Sequence, residues 1–493
     1  MRAYLLELIA FLSGAAVMVL ELVGSRILAP YIGTSLSVWT SLIGIILASL
    51  SIGYWWGGKA ADKNPSLRTL SAILFVAALF VGATAVTKDL ILSIIQIIVR
   101  DIRISSVMNA LILFAPASIA FGMVTPYAVR LKMQTIEASG KTVGNLYAIS
   151  TIGSIVGTFA AGFILIPALG NANILFVTAL GLIGLSFLTY AKSYRIPKAG
   201  IALFLMVFGS FTAITRANLA AAGFVDVDTH YNRVLIEERA DIASGRPMRT
   251  LRTDGLGIQS AMFLDGDGLV FEYTKLYNLA PHFVPRIERT LMLGGGAYSY
   301  PKYFIKRFPE ATMDVVEIDP KLTDLARRYF NLADDPRLRI FHEDGRTFLN
   351  RSNETYNAVF VDAFNTYSPP FQLTTRETAQ DMFAHLTDGG VVIMNIISAI
   401  EGPRGKFLRA EYATYRSVFP YVYVVPVTKP DEGDVVQNVM LVAVKSASEP
   451  NLHSNNPELA SYLSRRWIPD IPDDMPVLTD ERAPVEFYTA DLF

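Results

Sequence analysis

Gly294, Gly295 and Gly296 follow the short apolar run "RTLML", and acidic residues recur after the next three apolar runs: Glu317 with Asp319, Asp344 beside Gly345, and Asp362. Consecutive glycines let a backbone approach a ligand with no side chain intervening. Glu317 comes 23 residues after Gly294, the spacing at which a carboxylate grips ribose hydroxyls. At Asp344 a carboxylate can accept a hydrogen bond from an adenine amino group, and Asp362 would face the reacting end of the ligand. Each feature also has a bland explanation. Glycines mark tight turns, and acidic residues cap helix N-termini. The joint pattern favours an adenosyl-type ligand. No Gly-x-x-x-x-Gly-Lys-Ser/Thr run is present, which argues against an ATPase. The five His are scattered without ligand spacing, so no metal site is expected.

These residues need strands to carry them. "TLMLGGG", "TMDVVEID", "LRIFHEDG", "YNAVFVDAF" and "GGVVIMNI" read as five strands, with "SYPKYFIKRFP" and "PKLTDLARRYF" as intervening helices. Such alternation predicts a Rossmann-like α/β domain, a parallel sheet covered by helices over 286–493. Its ligand should lie outside the carboxyl ends of the strands. Ahead of it, 220–285 carries short strand-like runs and Asp-Gly pairs (Asp254-Gly255, Asp265-Gly266, Asp267-Gly268), the signature of a small β-rich subdomain.

Residues 1–219 are different in kind. Up to Leu219 there are 15 Lys and Arg against 6 Asp and Glu; beyond it there are 28 against 38. Apolar runs of spanning length, roughly 17–25 residues, lie near Leu5–Val23, Leu36–Trp56, Leu70–Val86, Val107–Val129, Val143–Ile166 and Ile174–Tyr190, with a shorter seventh at Gly200–Ile214. A polytopic α-helical membrane domain of about seven helices is expected, with the lipid bilayer as its partner. Lys88–Ile102 is short between its charges and reads as an interfacial helix. Glu21 sits at membrane depth, where an ionisable group is a functional candidate; pairing with Arg26 is the structural alternative. Gly153 and Gly157 have the spacing of close helix packing. With seven spans, Lys and Arg gather in the loops on the N-terminal side, which places the following domain on the opposite side; a further spanning segment at Lys88–Ile102 reverses this. The sequence has no cysteine, which excludes disulfides and thiol chemistry.

At these residues the chain resembles the polyamine aminopropyltransferases, the spermidine synthase family, and within them the membrane-integral branch. The resemblance rests on "LELVGSRILAPYIGTSLSVWT", "SIGYWWGGKAAD" and "GNLYAISTIGSIVGTFAAGFILIPALG" in the first half. In the second it rests on "HYNRVLIEE", "LDGDGLVFEYTKL", "LMLGGG", "VVEIDP", "EDGRTFL", "VFVDAF", "PPFQLTTRE" and "LTDERAPVE". It implies a sheet of the class I methyltransferase type and transfer of an aminopropyl group from decarboxylated S-adenosylmethionine to a diamine such as putrescine, releasing methylthioadenosine. No tightly bound cofactor and no nucleic acid are implied; a homo-oligomer is, by the habit of the soluble enzymes. Asp362 falls on the first Asp of the family's Asp-x-x-Asp gate and would orient and deprotonate the amine. Glu317 would bind ribose, Asp344 adenine, and Gln259 would line the donor site, while Tyr273 falls on the active-site tyrosine. Departures are equally specific. Ala297 replaces an Asp that grips the donor's amine, Asn365 replaces the second gate Asp, and Asn232 stands where the soluble enzymes usually have Gln. The later acceptor-site tyrosine has no match around "VVPVTKPDEGDVVQN". Thinning of cation-binding groups leaves two further readings: methyl or other group transfer from an adenosyl sulfonium donor, and a transporter or sensor that binds an adenosyl nucleoside without turnover.

Overall fold

A computed structural model describes residues 4–33, 35–63, 65–99, 101–133, 139–192, 194–221, 223–253, 257–363 and 369–492. The chain forms two compact units, one of residues 1–235 and one of 236–253 with 257–493.

The first unit is helical: α1 (Leu5–Ile32), α2 (Leu36–Lys63), α3 (Leu67–Ile98), α4 (Ile102–Leu113), α5 (Ala115–Lys132) and α6 (Ser139–Ala160), then helices Asn171–Thr189 and Arg195–Ala221. Among the described residues six helices are long and apolar enough to cross a membrane, or seven if the bent pair α4–α5 counts as one span. Two expectations change. Residues 88–98 are not an interfacial helix; they continue α3, whose 32 residues begin at the Ser66 cap. The apolar run near Val107–Val129 is two helices meeting at 52°. They break at Phe114, ahead of Pro116 in the first turn of α5, where a proline ring is tolerated but cannot continue a preceding helix. Gly153 and Gly157 behave as their spacing predicts. A Cβ at Gly153 would be driven into the Phe11 carbonyl, and one at Gly157 would stand 2.6 Å from the Ala15 Cα, so α1 and α6 meet backbone to backbone.

One end of this unit is polar. The segment through strand β1 (Val225–Asp228) to the start of β2 (Arg233–Ala240) is bonded to the ends of the helices. Arg233 grips both carboxylate oxygens of Asp226 at 2.8 Å, and Arg216 approaches Asp226 at 3.7 Å. Asp89 pairs with Lys88 at 2.7 Å and accepts from the Tyr31 hydroxyl at 3.0 Å. Asn171 donates to Asp228 at 2.9 Å. Arg26 donates to the carbonyls of Thr229 and Tyr231 rather than pairing with Glu21, which has no ion pair among the described residues.

The second unit opens with the rest of β2, then β3 (Pro247–Thr253) and β4 (Ser260–Phe263), which pair antiparallel. Its main sheet has seven strands: β5 (Arg289–Leu293), β6 (Thr312–Val316), β7 (Leu338–Phe341), β8 (Tyr356–Val361), β9 (Leu386–Ser398), β10 (Tyr421–Pro426) and β11 (Gln437–Val444), in the order β10-β11-β9-β8-β5-β6-β7. The five strands read from the sequence, β5 to β9, are parallel; β11 and β10 extend the sheet antiparallel. Alternate residues serve two cores. Leu291, Leu293, Val359 and Val361 face one; Met292, Ala358 and Phe360 face the other. Helices cover both faces, as a near-continuously apolar parallel sheet requires.

Candidate active site

The strand order reverses between β5 and β8, and loops leaving the two strands diverge there to open a crevice. Gly294 turns the chain out of β5 at φ +96°, a conformation that disfavours side chains, and a Cβ would collide with the Asp362 carbonyl. The Asp362 N–H in turn donates to the Leu293 carbonyl at 2.9 Å, so the glycine turn and the end of β8 are locked together.

Glu317, at the end of β6, reaches back into this turn. Its Oε2 accepts from the N–H groups of Gly295 and Gly296, each at 3.0 Å, and its Oε1 from Asp319 N–H at 2.9 Å. Burial pushes its carboxyl above the usual range, and the three N–H groups pull the other way without cancelling it. The glutamate therefore shapes the turn and keeps lone-pair capacity for a ligand hydroxyl.

The three residues after the glycines do not present themselves equally. Ala297 is fully buried, its N–H donating to Ser260 Oγ at 3.2 Å. Tyr298 takes the left-handed conformation at φ 56° and buries its ring under Gly295; its hydroxyl bonds Thr323 at 2.7 Å, which bonds His342. It is a brace rather than a ligand contact. Ser299 donates to the Ala261 carbonyl at 2.9 Å and forms part of the crevice wall.

The crevice has an empty volume of about 330 Å³, open to solvent, walled by Gln259, Ser260, Tyr273, Gly295, Tyr300 and Asp362 among others. Asp362 is the carboxylate in that wall, and its partners are neutral. Tyr273 donates to Oδ2 at 3.2 Å and Asn395, from β9, to Oδ1 at 3.1 Å; Asn438, from β11, donates to Asn395 at 2.9 Å. Burial pushes Asp362 up to about 6, with the donated bonds opposing. Burial also holds Tyr273 and Tyr277 well above 10, so both keep their protons. The fully buried Tyr300 hydroxyl has no partner among the described residues and is a spare donor. A carboxylate that changes protonation near neutral pH without a fixed counter-cation can hold an ammonium group and take its proton.

Asp344 caps the helix Gly345–Arg351, accepting from Thr347 N–H at 3.0 Å, while its second oxygen accepts from Gln372 at 3.1 Å. Gly345 opens that helix against Leu373. Asn232 belongs to the first unit, in the turn between β1 and β2, where its N–H donates to Thr229 Oγ1 at 2.9 Å. Asn365 lies outside the described residues, as does the Asp254-Gly255 pair. Sequence reasoning missed Asn395, Asn438, Ser260, Tyr277 and Gln372. Asn395 left a signal, a lone amide in the apolar run "VVIMNII" of a central strand.

Residues 271–445 match the spermine/spermidine synthase domain family. The polyamine aminopropyltransferase of Vibrio vulnificus is 30% identical over 198 residues, 39% of this chain; the chain spans 64% of that relative's length, less than two thirds. Polyamine aminopropyltransferase 1 of Streptomyces coelicolor is 23% identical over 386 residues, covering 73% of this chain and 69% of that protein, which is more of this chain than its second unit holds. Among solved structures, a probable spermidine synthase from Corynebacterium glutamicum is 24% identical, with a TM-score of 0.41 over 49% of this chain and 85% of that one. The second unit carries the glycine turn, the acidic strand ends and the stretch that matches the spermine/spermidine synthase domain.

Proposed function

We propose that this chain is a membrane-bound polyamine aminopropyltransferase that moves an aminopropyl group from decarboxylated S-adenosylmethionine to a diamine such as putrescine. The reading assigns residues 1–219 to a multi-pass domain of the cell membrane, 220–285 to a β-rich subdomain and 286–493 to the catalytic domain. The observation that carries it is Asp362, facing the crevice beside the glycine turn, held by neutral donors alone and pushed up to about 6.

The adenosyl part of the donor lies against Gly294–Gly296, with Glu317 on the ribose hydroxyls, Asp344 on the adenine and Gln259 along the tail. The acceptor amine lies between Tyr273 and Asp362. Its nitrogen lone pair attacks the carbon next to the sulfonium; the C–S bond breaks, its electron pair stays on sulfur, and methylthioadenosine leaves. The new C–N bond leaves a proton on nitrogen, which passes to Asp362. In-line placement supplies much of the rate, and proton acceptance adds about 10²–10⁴-fold. Ala297 gives the donor's tail no carboxylate, which favours a second reading in which the donor carries a different tail and another group, such as methyl, is transferred.

Purified protein in detergent, given decarboxylated S-adenosylmethionine and a panel of diamines, should release methylthioadenosine. No release with any diamine sinks the reading, and methyl transfer from S-adenosylmethionine replaces it with the second. A C-terminal reporter fusion fixes the side of the membrane. Activity in the outer compartment alone separates the catalytic domain from a cytosolic donor and counts against both.

A further inference from the structure

We propose that Asn438 is a positioning residue for Asp362, acting through the amide of Asn395. The inference rests on Asp362 being the proton acceptor of the proposed reaction.

Asn395 and Asn438 sit on neighbouring strands, β9 and β11; in the ladder Asn395 faces Met440 and Asn438 faces Ile397. That makes them a diagonal pair on one face, within side-chain reach. The rest of the face is apolar, with Val391 and Ile393 on β9 and Met440 and Val442 on β11. Replacing two aliphatic positions of a buried face by amides is costly unless their hydrogen bonds are made. Here they are made in one direction. Asn438 Nδ2 donates to Asn395 Oδ1 at 2.9 Å, and Asn395 Nδ2 donates to Asp362 Oδ1 at 3.1 Å.

The direction is the point. An amide carries a donor on one arm and an acceptor on the other. If Asn395 turned over, its oxygen would face the carboxylate and repel it. Asn438 occupies the oxygen arm and so keeps the donor arm on Asp362. Asn438 is not among the residues that wall the crevice. Among the described residues the titratable groups facing Asp362 are the hydroxyls of Tyr273, from the helix Glu272–Leu276, and Tyr277 just after it, and both stay protonated through the neutral range.

The test compares full-length wild type with Asn438→Leu, Asn438→Gln and Asp362→Asn in detergent. The protonated-carboxyl stretch of Asp362, identified by its loss in Asp362→Asn, is followed by infrared spectroscopy against pH. Leucine should raise the midpoint by about one pH unit, the effect of losing one oriented donor to a carboxylate. The acid limb of kcat/KM should move with it, and Asn438→Gln, which keeps an amide donor, should restore most of both. An unchanged midpoint in a folded Asn438→Leu overturns the proposal. Should leucine fail to fold, Asn438→Asp serves. Its ionised carboxylate accepts rather than donates, so it should turn the Asn395 amide and raise the midpoint further; no rise there overturns the proposal equally. A shifted midpoint in a protein that transfers no aminopropyl group leaves the positioning intact and removes the proposed reaction instead.

Discussion

Asp226 and Asp362 are both aspartates sheltered beside a strand, one in each unit, and they are opposites. Burial pushes Asp226 up, but the bidentate Arg233 guanidinium and nearby Arg216 hold it below the usual carboxylate range. Burial pushes Asp362 up as well, and only neutral donors answer, so it stays near 6. A carboxylate given its own counter-ion by the fold is fixed as structure. One solvated by neutral dipoles remains available to a cation from outside, in the proposed reaction the ammonium of an amine substrate. The first unit thus uses paired charge to fasten β1 and the start of β2 to helix ends; the second leaves one buried carboxylate unpaired at its crevice.

The sharpest way to break the contrast is Asp362→Asn. Methylthioadenosine release should fall about 10³-fold, within the range for a lost proton acceptor, while the protein gains stability at pH 8. The sign follows from the raised value. The folded state binds its proton more tightly than the unfolded chain, so stability declines as pH rises from about 4 to 6 and the penalty is fully present above that. Removing the charge should recover on the order of 3 kcal/mol at pH 8 and little at pH 4, read from thermal unfolding.

Arg233→Met should do the reverse in the first unit. It leaves Asp226 sheltered without its main partner, at a cost of about 3–5 kcal/mol, with the crevice of the second unit untouched in composition. Adding Asp226→Leu should recover most of the loss. For the wild type, the depressed value of Asp226 means that its contribution is present above the unfolded value and disappears as pH falls through the folded one. The destabilisation in Arg233→Met should therefore be largest above the unfolded value and shrink as pH falls, read from thermal unfolding of both proteins against pH.

Glu317→Gln lies between the two kinds of carboxylate, since its oxygens serve three backbone N–H groups and, in the proposed reaction, a ribose. An amide must point its NH₂ at one of those N–H groups, so methylthioadenosine binding should weaken about 10–100-fold, or roughly 1–3 kcal/mol, by titration calorimetry. A loss of thermal stability with unchanged nucleoside affinity would make Glu317 purely a brace of the turn.

The sequence carried the local half of this contrast and not the long-range half. Strands β5 to β9 and the acidic residues at their ends were legible because hydrophobic period and turn chemistry are encoded locally. The close approach at Gly153 and Gly157 was legible for the same reason. Partnership was not. Arg26 sits five residues from Glu21, yet bonds carbonyls some 200 positions away, at Thr229 and Tyr231. Asn395 and Asn438 are linked only because β11 folds back beside β9. Tyr298 follows the glycines by two positions, yet a left-handed backbone turns its ring into the core. Lys88 and Asp89 suggested a helix boundary by charge alone, but Asp89 and Tyr31 satisfy each other at the polar end, so α3 runs on past them.

The smallest expected effect tests whether neutral donors are what distinguish Asp362. Tyr273→Phe removes the hydroxyl that donates to Oδ2 at 3.2 Å and keeps the ring that stacks on Phe271. A single long hydrogen bond contributes about 0.5–1.5 kcal/mol, so kcat/KM should fall less than about tenfold. With one donor fewer, burial dominates further, and the acid limb should move above its wild-type position. Tyr273 also lines the crevice, so the split matters. A shift of the acid limb with little change in KM for the amine marks it as a donor to Asp362. A large rise in KM with the limb in place would instead make Tyr273 a direct contact of the acceptor, and Asp362 would then depend on Asn395 and Tyr277 for the neutral solvation that sets it apart from Asp226.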